Sequence, residues 1–271
     1  MKKIVMISIS VVLAVTGLSI RSFASPTALE VVRKADTRED GDTLTSDTLM
    51  VLVNKRNQQR VRNIKNIRKD YGPDTKGVVF FLSPADVRNT AYMSFDWDNP
   101  EKEDDSWLYL PALQKVKRIA SSDKSGSFMG SDFTYSDING LEIEDWEYSF
   151  VKEDAGMDGH SVWVIQGLPK KERKEKVLEE TGYLKTMMWI RKDNYMVVKG
   201  KYWVRQGRKI KYFKAEEIDK VDDIWTAHKL TMVTTAKGKV EHTSVLQFSN
   251  IQYNLDIDDS TFTTRRMEQG L

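Results

Sequence analysis

Seven strand-length runs, separated by turn residues at about 12-residue spacing, fill the second half of this chain and restrict its fold more than any other feature. They span 144–152, 161–167, 183–191, 195–205, 209–221, 224–235 and 240–253. Between them lie Asp158-Gly159, Asp193-Asn194, Gln206-Gly207, Asp222-Asp223 and Lys237-Gly238, pairs that favour tight reversals. Antiparallel strands joined by such turns form a meander, so the expectation is one curved sheet or an incomplete barrel. The first half has the same texture at 45–54, 60–69, 76–82 and 91–97. A short amphipathic helix precedes these strands, starting at Ser25-Pro26 and ending near Asp36. Several runs are apolar at both parities: Met188 and Ile190 share one face of 183–191, Met187 and Trp189 the other. A sheet with one face in water alternates more cleanly. Either other elements cover its outer face, or its inner face surrounds something apolar.

The first 24 residues read as an export leader: Lys2 and Lys3, an apolar run over 4–20, and Ser22-Phe23-Ala24 as a cleavage signal. Cleavage after Ala24 leaves 25–271 as a single β domain, and no composition shift marks a linker inside it. Without Lys2, Lys3 and Arg21, the 40 acidic residues outnumber the basic ones by one, so charge gives no argument for nucleic acid. The chain has no cysteine, so it folds in an oxidising compartment without disulfides.

The sharpest local signal is 107–137, WLYLPALQKVKRIASSDKSGSFMGSDFTYSD. Trp107, Leu108, Tyr109 and Leu110 form a short apolar strand ending at Pro111, and 116–119 forms another. Phe128, Met129, Phe133 and Tyr135 then sit among serine and glycine. A loop this apolar has to bury those side chains or offer them to a ligand. With Gly126 and Gly130 as hinges, it has the composition of a lid over a cavity mouth.

The order W-x-Y-L-P-A-L-x-x-V-x-R-I, followed by S-F-M-G-S-D-F-T-Y-x-D, resembles the signature of the outer-membrane lipoprotein-sorting proteins. These are relatives of the periplasmic lipoprotein carriers and outer-membrane lipoprotein receptors. The resemblance extends over nearly the whole mature chain. It implies a mainly β fold with a few short helices: a curved antiparallel sheet forming an incomplete barrel around an apolar cavity, with an N-terminal helix and a lid loop. It also implies a periplasmic lipid-binding role, transient membrane contact and an inner-membrane exporter of the resistance-nodulation-division type as partner. Carried onto this sequence, Trp107, Tyr109, Leu110, Phe128, Met129, Phe133 and Tyr135 become lipid-binding or lid residues. Asp132 and Arg118 become hydrogen-bonding groups for the lid or a lipid headgroup, with a solvent-facing strand position as the alternative for Arg118.

Catalytic patterns are missing from the sequence. There is no G-x-S-x-G elbow. Ser127 and Ser131 lie in the glycine-containing loop, but the spacing of His160, His228 and His242 recommends none as a base. Three scattered histidines make no zinc pattern, and Asp256-x-Asp258-Asp259 lacks the rest of a calcium loop, so capping of a last helical turn near Phe262 is the simpler role. No cofactor is implied. The 55–69 segment is basic without stacking aromatics, which disfavours nucleic acid; it reads as an exposed basic strand or a dock for anionic headgroups. The 171–180 run of Lys, Arg and Glu reads as a solvated loop, and the chain beyond Phe262 as a frayed tail.

Three readings follow. A carrier for a lipid or lipoprotein acyl chain comes first, because burying a 16-carbon tail is worth on the order of 10 kcal/mol and needs no active-site chemistry. A non-carrier accessory subunit of an envelope transporter is the second. A hydrolase using Ser131, Asp132 or His160 is the third.

Overall fold

The computed structural model describes residues 25–99 and 101–271. The expected leader lies outside the described residues. Thirteen strands form one antiparallel sheet: β1 Thr43–Asn54, β2 Gln59–Tyr71, β3 Asp74–Ser83, β4 Ala91–Asp96, β5 Asp105–Leu110, β6 Lys115–Arg118, β7 Trp146–Met157, β8 His160–Pro169, β9 Tyr183–Arg191, β10 Val197–Val204, β11 Lys209–Val221, β12 Ile224–Ala236 and β13 Lys239–Tyr253. Among the described residues four α-helices accompany it: α1 Ala28–Asp36, α2 Tyr135–Asn139, α3 Lys174–Glu180 and α4 Thr264–Gln269. No helix among the described residues is long and apolar enough to cross a membrane.

The spatial order is β6-β5-β4-β3-β2-β1-β13-β12-β11-β10-β9-β8-β7. It is two meanders joined by pairing of β1 with β13, where Met50 lies opposite Leu246. The hairpins form where the turn pairs are written. Asp158-Gly159, Asp222-Asp223 and Lys237-Gly238 all take positive φ at both positions, which matches the twist of the flanking strands. A twisted sheet of this many strands curls rather than staying flat, here into an incomplete barrel that does not close. The open edges are β6 and β7. These two strands are consecutive in sequence, so 119–145 runs from one edge of the sheet to the other. That segment, the strap, contains the Phe-rich loop.

α1 begins at Thr27, not Ser25: its side chain accepts from the Glu30 amide, and Glu30 returns the bond in a capping box. The helix packs Ala28, Val31 and Val32 against Trp163, Ile165 and Ile190. Two expected loops are helical. The charged 171–180 run contains α3, because Val177 and Leu178 bury one side of a segment made of good helix formers. The expected frayed tail folds as α4, whose fully buried Met267 joins Ile257 and Phe262 over Phe80, Met93 and Tyr109. Asp258 does cap the turn before Phe262, accepting from the Ser260 amide.

Candidate binding site under the strap

The strap's local conformation follows from its residues. The Phe128 amide donates to the Phe133 carbonyl at 2.7 Å, and Ser127 bridges Thr134, so 127–134 closes into a small hairpin. Met129 (φ 50°) and Gly130 (φ 77°) turn its tip through the left-handed region, a costly conformation for methionine. Thr134 then caps α2 in a second capping box with Asp137. The result drives two phenylalanines into the sheet. Phe128 is 2% exposed, 5.3 Å from Tyr92, 5.5 Å from Tyr135 and 6.1 Å from Phe81 between ring centroids. Phe133 is 4% exposed in the same cluster, with Met50, Ile64, Met232 and Leu246.

Polar contacts pin the strap across the sheet. From β2, Arg62 donates to the Met129 carbonyl and lies over the Phe81 ring, 5.8 Å from its centroid. It is buried, although 55–69 reads from sequence as an exposed basic strand, because the inward parity of β2 carries it under the strap tip. From β13, His242 Nδ1 lies 2.6 Å from Asp132 Oδ2, and Ser244 Oγ donates to the same oxygen at 2.7 Å while accepting from the Asp132 amide at 2.8 Å. From β9 and β11, Tyr183 Oη is 2.8 Å from both Asp137 oxygens, and Lys211 Nζ is 3.2 Å from that hydroxyl and 3.6 Å from Asp137 Oδ2. Burial pushes the Tyr183 hydroxyl well above its usual pKa, and the neighbouring Asp137 charge pushes it further. Burial lowers the Lys211 ammonium against the pull of Asp137 and Asp132. From β4, Tyr92 Oη donates to Asn139 at 2.7 Å.

Two cavities flank this plug. A polar one of about 1040 Å³ lies between the strap, α3 and the ends of β10 to β13, with Asp132, Tyr183, Lys211, Thr234 and His242 on its wall. An apolar recess of about 290 Å³ lies between the end of α1 and the strap-filled core, walled by Leu44, Val197, Phe213, Ala215, Leu230 and Phe248. That volume is at the small end for ligand pockets. The phenylalanines fill the centre of the concave face, and the apolar space remains beside them.

The expected site residues do not converge on one place. Phe128, Met129, Phe133 and Tyr135 are together in or against the strap core. Trp107 and Tyr109 pack on the opposite face, with Phe95 and α4, since strand parity sends Leu108 inward instead. Leu110 is half-buried where β5 runs into Pro111. Arg118 pairs with Asp105 in an exposed position. His160 sits by Asp193, away from the strap, and Ser131 Oγ donates to the Phe128 carbonyl. Arg62, Tyr183, Lys211, His242 and Ser244 become visible only when the strands pair. Each was an ordinary strand residue in sequence.

A carboxylate cluster closes the C-terminal end of the strap. Asp96, Asp104 and Glu142 place ligand oxygens within 4.8 Å of one another, a hard-cation donor set and the sole group of this kind among the described residues. Lys124 already supplies a cation there, 3.1 Å from Asp104 Oδ2. Burial, reinforced by the Asp104 charge, pushes Asp96 up to about 8 and Glu142 to about 7. The folded protein therefore holds protons that the unfolded chain has released, and this contribution to stability is lost as pH rises through about 7 to 8. Glu142→Gln is expected to be more stable than wild type at pH 8.5 by about 1 kcal/mol, allowing for partial solvent screening, and equal to it at pH 5. Thermal denaturation at the two pH values checks this.

A family model whose description reads "uncharacterized protein" matches residues 73–269. The structure is similar to a candidate outer membrane lipoprotein-sorting protein domain from Vibrio parahaemolyticus, with 28% identity, a TM-score of 0.78, and coverage of 89% of this chain and 98% of that one. The chain belongs to the family of that model, and it shares its fold with this lipoprotein-sorting domain. A DUF1329 family protein from Desulfovibrio piger is comparably similar, at 26% identity, TM-score 0.78, and 89% and 97% coverage. A LolA superfamily protein from Nitrosomonas europaea shares the fold at 18% identity, TM-score 0.66, with 89% and 99% coverage. No curated protein matches the chain in sequence. The lipoprotein-sorting fold accounts for the incomplete barrel and agrees with the signature in 107–137.

Proposed function

We propose that this family member is a non-enzymatic periplasmic carrier for a lipid or lipoprotein acyl chain, with residues 25–271 acting as one lipoprotein-carrier-like β domain. The observation that carries this reading is the apolar recess bordered by Phe213, Leu230 and Phe248, contiguous with the core that the strap fills. An acyl chain starts in the recess and extends by displacing Phe128 and Phe133, which then act as a removable plug. Each methylene buried contributes about 0.8 kcal/mol, so displacement of two buried rings is offset by roughly the first eight carbons. The polar pins set the threshold for opening. Release without a nucleotide then needs a tighter acceptor or a partner, and an inner-membrane exporter of the resistance-nodulation-division type fits that requirement.

Mass spectrometry of organic extracts from protein purified out of its native envelope tests the reading. Carrier function predicts lipid at near one molecule per chain. An empty extract with co-purified transporter favours instead an accessory subunit that binds through its surface.

A further inference from the structure

The sheet has a second apolar face, on its convex side. In β9 to β11 the residues Thr186, Met188, Tyr202 and Phe213 point inward, so Trp189, Trp203 and Tyr212 project outward with three lysines between them. Lys199 stands opposite Trp189 and 4.8 Å from its ring centroid; Lys201 lies 4.6 Å from Trp203 and 5.7 Å from Tyr212; Lys185 lies 5.1 Å from Trp203. The nearby Lys209, Lys214 and Lys229 all pair with Glu241 or Glu216, whereas Lys185, Lys199 and Lys201 have no carboxylate partner among the described residues. The outward rows continue through Val233 and Val245 to Val51 and Val61, the last 43% exposed. Trp189 also packs against Val162, Val164, Met196 and Val198, whereas Trp203 is half-buried and Tyr212 exposed on the outer surface, and a solvated face would alternate such rings with paired charges.

We propose that this convex face docks the protein onto the surface of an anionic lipid bilayer. Tryptophan and tyrosine rings settle at headgroup depth, and lysines lay their stems along the rings while their ammoniums meet lipid phosphates. Unpaired lysines, free of competing carboxylates, give the patch the sign that an anionic leaflet attracts. The contact leaves the concave face and its recess open, so docking and acyl binding are separate properties of the two sides of one sheet.

Co-sedimentation of the full chain with vesicles tests the inference. Wild-type protein should associate with phosphatidylcholine vesicles containing phosphatidylglycerol, weakly or not at all with pure phosphatidylcholine, and progressively less as salt rises. Each lysine removed should weaken association about fivefold, so K199E/K201E should lose at least tenfold. Trp203→Ser should weaken it severalfold at unchanged salt dependence. Circular dichroism and fatty-acid uptake should match wild type for both variants, which separates failure of docking from failure of the carrier reading. Absence of binding to anionic vesicles, equal binding to neutral ones, or retention of full binding by K199E/K201E would overturn the proposal. Salt-insensitive capture by a protein partner on this face would also overturn it.

Discussion

Phe128→Ala is expected to destabilise the protein by about 3–5 kcal/mol, the usual cost of deleting a fully buried aromatic side chain. Nothing nearby is free to fill the space. Tyr92, Tyr135 and Phe81 surround the ring, and Arg62 is committed to the Met129 carbonyl. For a chain of this size the change corresponds to a fall in Tm of roughly 10 °C. An exposed apolar control on the β5–β6 connection, Leu113→Ala at 62% exposure, should stay within about 0.5 kcal/mol. Binding should respond in the opposite direction from stability. The plug has to be displaced for a long chain to enter, so the variant should take up fatty acid more tightly than wild type. Thermal denaturation and uptake measured on the same preparation check both halves.

Asp137→Ala carries the second large effect, about 3–5 kcal/mol, for an electrostatic reason. Its carboxylate accepts from Tyr183 Oη and from the Thr134 amide and stands beside Lys211, with both charged side chains at most 10% exposed. Removing it breaks the capping box of α2 and leaves the Lys211 charge buried without its partner. Lys211→Met should cost less, because Asp137 keeps the Tyr183 and Thr134 donors. The double variant Asp137→Asn/Lys211→Met should recover most of the loss, since a buried pair replaced by neutral groups of similar size is often tolerated. A thermodynamic cycle over Asp137→Asn, Lys211→Met and their double variant measures the coupling; additivity of the two losses would show that the lysine and the carboxylate do not act together.

Much of the fold was legible because it is local. Strand parity and turn pairs are properties of neighbouring residues, so nearly every strand falls within a few residues of its sequence expectation, and 183–191 and 209–221 match the observed bounds. The lapses have a common cause. α3 was hidden because its two buried residues, Val177 and Leu178, are outnumbered by charges that a helix places on its exposed side. α4 was hidden because a single side chain, Met267, anchors it. The site was legible only on the strap itself. Phe128 and Phe133 announce their need for burial, but what they bury against comes from strands tens to more than a hundred residues away. Arg62, Lys211 and His242 gain their roles from register, and neither hydrophobic period nor composition encodes which strand lies opposite which. Trp107 and Tyr109 show the converse error. The resemblance placed them in the same site as the strap, and a half-turn of the pleat places them on the other side of the sheet.

The central claim is that the recess beside α1 receives an acyl chain, and Ala215 offers the cleanest test. It is buried on the recess wall, opposite Leu230 on the neighbouring strand, away from every strap contact. Titration of delipidated protein with a fluorescent fatty acid should saturate at about one molecule per chain in wild type, while Ala215→Phe, with the recess filled and the fold intact by circular dichroism, should lose at least a hundredfold in affinity, the worth of roughly four methylenes. Equal uptake by the two proteins, or none by wild type, would contradict the account.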